Sequence, residues 1–331
     1  MVSEPKTLVV FDTNTLRRTI GGGSTYGSFE FTEGYNNLNK FIEENKLSEF
    51  IKIIIPRIVI EELLKQKIEQ YEDDTKNILS IVKRLITLPE VAIGEVRLPD
   101  SSYDCSSKLN FFLEEFIRAN KLNIVDLPDD KLKEIFLKIK QRSIDKKPPF
   151  KNSDTGFKDV IIWETILNYL NIKDFHKTIL ISKDGGFNEK CKIEFEKLIE
   201  RFLVMTPSPE YAIEELKTDY SFYLENKEII DFTKTDVFKK YIESIIDKMK
   251  TIQIDETEYE ITEKIIEDYC DNIETLDEDE TGISTIISTK LKINFNQDGV
   301  THKKLIYAKT SLDDTKGIMS TELHDENDEI Y

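Results

Sequence analysis

Four carboxylates stand directly after apolar runs or beside apolar stripes. Asp12 closes the apolar, β-branched run "TLVVFDTNTL"; Glu62 lies in "IPRIVIEELLK"; Asp159 lies in "GFKDVIIWETIL"; and Asp184 follows "TILIS" in "TILISKDGGF". Each has an ordinary alternative. Asp12 and Asp184 could cap turns, Glu62 could sit at the solvent edge of a buried stripe, and Asp159 could answer a helix dipole. Brought together, the four would repel one another unless a divalent cation lay among them. An oxygen-only set without Cys or His suits Mg²⁺ or Mn²⁺, which polarise a phosphodiester and lower the pKa of an attacking water. Glu61, between Arg57 and Lys65 at helical spacing, reads instead as a solvated ion-pair residue.

Such acids need a scaffold. Through the first two-thirds of the chain, short apolar runs alternate with segments at helical period, the pattern of a parallel α/β sheet. Strands are expected near 7–12, 51–55, 123–127, 178–182 and 201–205. Helices are expected near 35–47, 57–70, 73–87, 106–121, 129–144, 157–172, 187–199 and 209–226. Asp12 and Asp184 then follow strands, and Glu62 and Asp159 occupy the first turns of helices, all at the carboxyl edge where α/β sheets place ligands. Beyond about 230 the pattern changes. Helices are expected near 235–249 and 259–274, then two strands, "ISTIISTKLKINF" and "HKKLIYAKTS", joined at "NQDG", and a solvated tail "ELHDENDEIY".

The 331 residues are therefore divided into 1–230 and an acidic α+β domain at 231–331, which carries about −13 of the net charge of −18. That asymmetry argues against nucleic-acid binding by the whole surface and points the last hundred residues toward a regulatory partner or a homo-oligomer. Three scattered cysteines and three scattered histidines make neither a disulfide framework nor a zinc site. No apolar run reaches membrane-spanning length and the amino terminus lacks an export signal, so a cytoplasmic location is expected.

The four acidic segments, taken in order, resemble the PIN-domain nucleases, in particular a larger PIN-like branch found in bacteria. The likeness covers about residues 5–206. It implies a five-stranded parallel sheet flanked by helices, and Mg²⁺- or Mn²⁺-dependent endonucleolytic cleavage, usually of RNA, leaving a 5′-phosphate and a 3′-hydroxyl. By position the family's acids fall on Asp12, Glu62, Asp159 and Asp184, with Asn14 and Ser182 as supporting polar residues. Ser182 stands where the family often has Thr, and about 89–148 forms a helical insertion relative to compact members.

For substrate, Arg17 and Arg18 follow Asp12 closely and could touch a phosphate. The basic segment 131–151, with Lys133, Lys140, Arg142, Lys146, Lys147 and Lys151, is either a solvated helix face or a route for a phosphate backbone. Tyr26, in the loop "GGGSTYGS", is available to stack on a base. A toxin-like or anti-phage defence effector fits this reading. DNA as the substrate of the same site, and a non-catalytic scaffold that binds a protein partner, are the alternatives. A haloacid-dehalogenase phosphatase would need Asp where Asn14 stands, and a receiver domain is too compact for the span from Asp12 to Asp184.

Overall fold

A computed structural model describes residues 5–18, 25–87, 104–150, 156–254, 257–275, 283–297 and 299–325. The chain divides into two compact units, one of Pro5–Thr218 and one built from Asp219 onward.

The first unit runs β1 (Thr7–Phe11), α1 (Thr13–Leu16), α2 (Glu33–Glu44), β2 (Ile51–Pro56), α3 (Arg57–Leu85), α4 (Cys105–Ala119), β3 (Ile124–Val125), α5 (Leu132–Ile144), α6 (Phe157–Leu167), β4 (Lys177–Ile181), α7 (Glu189–Ile199), β5 (Phe202–Thr206) and α8 (Pro209–Asp219). Its five strands are all parallel, in the order β3-β2-β1-β4-β5. All five residues of β1 are buried, as a central strand covered on both faces requires. The chain leaves β1 toward β2 on one side and returns to β4 on the other, so the carboxyl ends of β1 and β4 flank the topological switch point. Aromatic rings lock the helices onto the sheet: Tyr35 of α2 meets Phe11 and Phe31, and Trp163 of α6, fully buried, lies against Phe187 and against Phe195 of α7.

Several local expectations give way here. The helices expected at 57–70 and 73–87 are one continuous α3, because Tyr71 and Glu72 offer no breaker. The single helix expected over 209–226 is two, parted at the fully buried Tyr220, whose backbone leaves the helical region. The helix expected over 157–172 stops at Leu167, and Asn171 takes a left-handed conformation. The strand expected near 123–127 is present as the two-residue β3, where Ile124 and Val125 pair with Ile55 and Pro56, so the segment 89–148 is not helical throughout; residues 88–103 lie outside the described residues.

The second unit contains α9 (Ser221–Thr233), α10 (Asp236–Lys248), β6 (Thr251–Ile254), β7 (Thr257–Thr275), β8 (Ile283–Gln297), β9 (Val300–Asp313) and β10 (Ile318–His324). The strands form an antiparallel meander in chain order. Phe238, Ile242 and Ile246, spaced four apart on α10, share a core with Ile287, Leu291, Ile293 and Ile306 of the sheet. The helix expected over 259–274 is therefore corrected to a nineteen-residue strand. The β8–β9 hairpin turns after Gln297 with Gly299 at φ 78°, a conformation glycine adopts without cost. Three residues of the expected tail, 322–324, belong to β10, and those after Asp325 lie outside the described residues. No described helix is long and apolar enough to cross a membrane.

Candidate active site

Asp12 is the first residue past β1. The backbone N–H of Asp12 donates to the carbonyl of Ile181 at 3.0 Å, which ties the ends of β1 and β4 together. Its side chain is only 2 % exposed. One carboxylate oxygen accepts from the backbone N–H of Thr13 and the other from the Ser182 hydroxyl, each at 2.7 Å. The Ser182 Oγ in turn accepts from the backbone N–H of Asp184 at 3.0 Å, and the Asp184 carboxylate accepts from the N–H of Gly186 at 2.6 Å. The ends of two strands adjacent in the sheet, β1 and β4, are thus knitted through one carboxylate and one hydroxyl.

Glu62 joins this cluster from α3. The Thr13 hydroxyl donates to Glu62 Oε2 at 2.9 Å, while Gln66 Nε2 donates to Oε1 at 3.3 Å and the Lys158 ammonium makes a close ion pair with the same oxygen. Burial pushes the Asp12 carboxyl above its ordinary range; the Ser182 and Thr13 hydrogen bonds oppose this, and the charges of Asp184 and Glu62 add to it. Asp12, Glu62 and Asp184 are therefore electrostatic neighbours. Asp159 lies in the first turn of α6, one residue from Lys158, and one of its oxygens comes close to Gly156, whose φ of 105° starts the helix.

Among the described residues no three Asp, Glu, His or Cys side chains form a closed group that could hold a metal ion. The chemistry of the donors nonetheless suits a hard cation that keeps part of its water shell and uses one or two carboxylates. All are oxygens, three of them repel, and Gln66 Oε1 beside Glu62 is a buried acceptor with no partner among the described residues.

No motif in the sequence marks Thr13, Gln66 or Lys158 as part of the site. Thr13 stands next to Asp12, but nothing in a linear reading says that its hydroxyl crosses to α3. Asn14 is exposed on α1, and Thr13 is the neighbour that reaches Glu62. Arg142 is corrected from a surface phosphate contact to an internal clasp. It is 7 % exposed, pairs with Glu194 at 2.7 Å and Glu164 at 3.5 Å, and Glu194 also accepts from the Trp163 indole at 3.0 Å. Lys140, Lys146 and Lys147 are exposed, whereas Lys151 lies outside the described residues. Arg17 is exposed and Arg18 is ion-paired with Glu30. Tyr26 is engaged, with its hydroxyl donating to Asp74 at 2.5 Å and its ring edge-on to Tyr71.

A parallel 3-2-1-4-5 sheet with buried and half-buried carboxylates at its switch point defines an α/β protein whose chemistry is acidic. The family model for the PIN domain matches residues 9–187, more than half the chain. The chain belongs to the PIN-domain family, a family of nucleases that typically use divalent metals. No curated protein and no solved structure matches it.

Proposed function

We propose that the protein is an endonuclease that hydrolyses phosphodiester bonds, with RNA as the substrate, in the presence of Mg²⁺ or Mn²⁺. The observation that carries this is the network at the switch point, in which Ser182 and Thr13 hold Asp12 and Thr13 also holds Glu62. Asp12, Asp159, Asp184 and Glu62 would hold the metal, directly or through water. The ion would supply Lewis-acid polarisation of the phosphate and charge neutralisation at the departing oxygen.

The protein's own groups set the rest. Glu62, fixed by Thr13, Gln66 and Lys158, accepts a proton from the attacking water. The water oxygen bonds to phosphorus as the bond to the 3′-oxygen breaks; that oxygen takes a proton and leaves as a hydroxyl, and the phosphate stays on the 5′ side. Ser182 and the Thr13 N–H orient Asp12, keeping a buried carboxylate in one rotamer.

The test is cleavage of single-stranded RNA, single-stranded DNA and supercoiled plasmid with Mg²⁺, Mn²⁺ or excess chelator. Metal-dependent cutting of the RNA with 5′-phosphate ends is expected. Cutting of DNA alone would transfer the same site to DNA, and no cutting of any of the three would contradict the proposal.

A further inference from the structure

Beside Glu62 lies a small cleft of about 40 Å³ between the segment after α1, the segment Phe29–Glu30 and the flank of α3. Its walls include Arg17, Arg18, Gln66 and Lys67, and Gln66 is the residue that donates to Glu62. The cleft thus begins one side chain away from the carboxylates.

Its charge is unusual for this chain. Three cations, Arg17, Arg18 and Lys67, share walls whose one carboxylate is Glu30, which pairs with Arg18 and also acts on Lys67, in a protein with 64 acids and 46 bases. Lys67 is half-buried. Its ammonium donates to the Ser28 carbonyl at 2.6 Å and lies 5.0 Å from the centre of the Phe29 ring. Burial pushes the Lys67 pKa down, and the charge of Glu30, already shared with Arg18, opposes this without offsetting it. A desolvated cation and an exposed arginine on one cleft are complementary to a small anion.

Building on the nuclease reading, we infer that this cleft is a phosphate subsite. It would receive a backbone phosphate of the strand being cut, next to the one at the carboxylates, with Lys67 and Arg17 as its cationic contacts. The cleft is scaled to a phosphate group rather than to a planar base, so it would read the backbone and not the sequence. Neither Lys67 nor the cleft is distinguished by a motif; the site emerges only when α3 is laid beside the segment 28–30.

The experiment uses the full chain with Asp12→Asn, in chelator, titrated with a labelled single-stranded RNA ten-mer and its DNA counterpart over a series of salt concentrations. Arg17→Gln and Lys67→Gln are each expected to weaken binding several-fold and to lower the slope of log Kd against log salt by about 0.7, the value for one lost single-strand phosphate contact. Lys67→Arg should restore the slope. Arg201→Gln, beside the amino end of β5, is the control and should leave it unchanged. If Lys67→Gln lowers the melting temperature, the exposed Arg17 carries the test. Slopes for Arg17→Gln and Lys67→Gln equal to that of the control, or no binding of either oligonucleotide, would overturn the inference. Wild-type cleavage is measured in parallel. Cleavage with unchanged slopes defeats the subsite alone, and altered slopes without cleavage defeat the nuclease reading alone.

Discussion

Asp12 shows how much one hydroxyl matters. Its carboxylate is almost fully buried, sits near Asp184 and Glu62, and is opposed in its upward shift first by the Ser182 hydroxyl. Ser182→Ala removes that donor and also the acceptor for the Asp184 N–H. A loss of about 10- to 100-fold in metal affinity or turnover is expected, the usual effect of deleting a group that orients a ligand, and Ser182→Thr should recover most of it. Metal titration followed by steady-state kinetics checks both. The clasp around Arg142 makes a stability prediction. Arg142→Ala leaves Glu164 and Glu194 without their cation and should cost about 3–5 kcal/mol in denaturant unfolding. Burial outweighs the pull of Arg142 and holds Glu164 above its ordinary 4.5. The folded state therefore binds its proton more readily than the unfolded chain. This contribution is favourable at low pH and is lost as pH rises above the unfolded value through the folded one. Glu164→Gln should flatten that part of the stability–pH profile.

At the scale of elements, the places of the acids after strands and on helices were legible, because strands that end on a polar residue announce themselves in sequence and because Glu62 and Asp159 stand at fixed distances from apolar stripes. Contacts between elements were not legible. Thr13 to Glu62 spans 49 residues and Lys158 to Glu62 spans 96, and no local pattern encodes either. Strand β7 looks helical in sequence for a physical reason. Ile261, Ile265, Ile266 and Tyr269 fall near helical spacing amid Glu, Lys and Asp, and irregularities at 261–263, 266–268 and 268–272 break the alternation that would have revealed a strand. Gly156 offers the test at this scale. An alanine there would take a left-handed conformation, and its Cβ would lie 3.0 Å from the Pro149 carbonyl and 3.3 Å from Asp159. Gly156→Ala should cost about 1–2 kcal/mol. Turnover should fall as well, since the start of α6 sets both Asp159 and Lys158; thermal melting and a cleavage assay separate the two effects.

For the whole molecule, composition conveyed the asymmetry but not the architecture of the last third. The acidic excess suggested a separate region, yet its fold rests on α10 covering one face of a five-stranded meander. Ile242, fully buried at the centre of that helix, is the residue to probe. Ile242→Ala should destabilise this unit by about 2–5 kcal/mol, read as an earlier loss of amide protection in β8 and β9 under hydrogen exchange. In the other unit, acids after two strands and on two helices make up the proposed hydrolytic centre. The most direct measurement is the Mg²⁺- or Mn²⁺-supplemented cleavage rate of wild type against Asp12→Asn, a change that keeps the side chain's size and removes its charge. A fall of at least about 100-fold is expected in a protein whose melting temperature is not lowered; equal rates for the two on every nucleic acid tried would rule out a hydrolytic centre at Asp12.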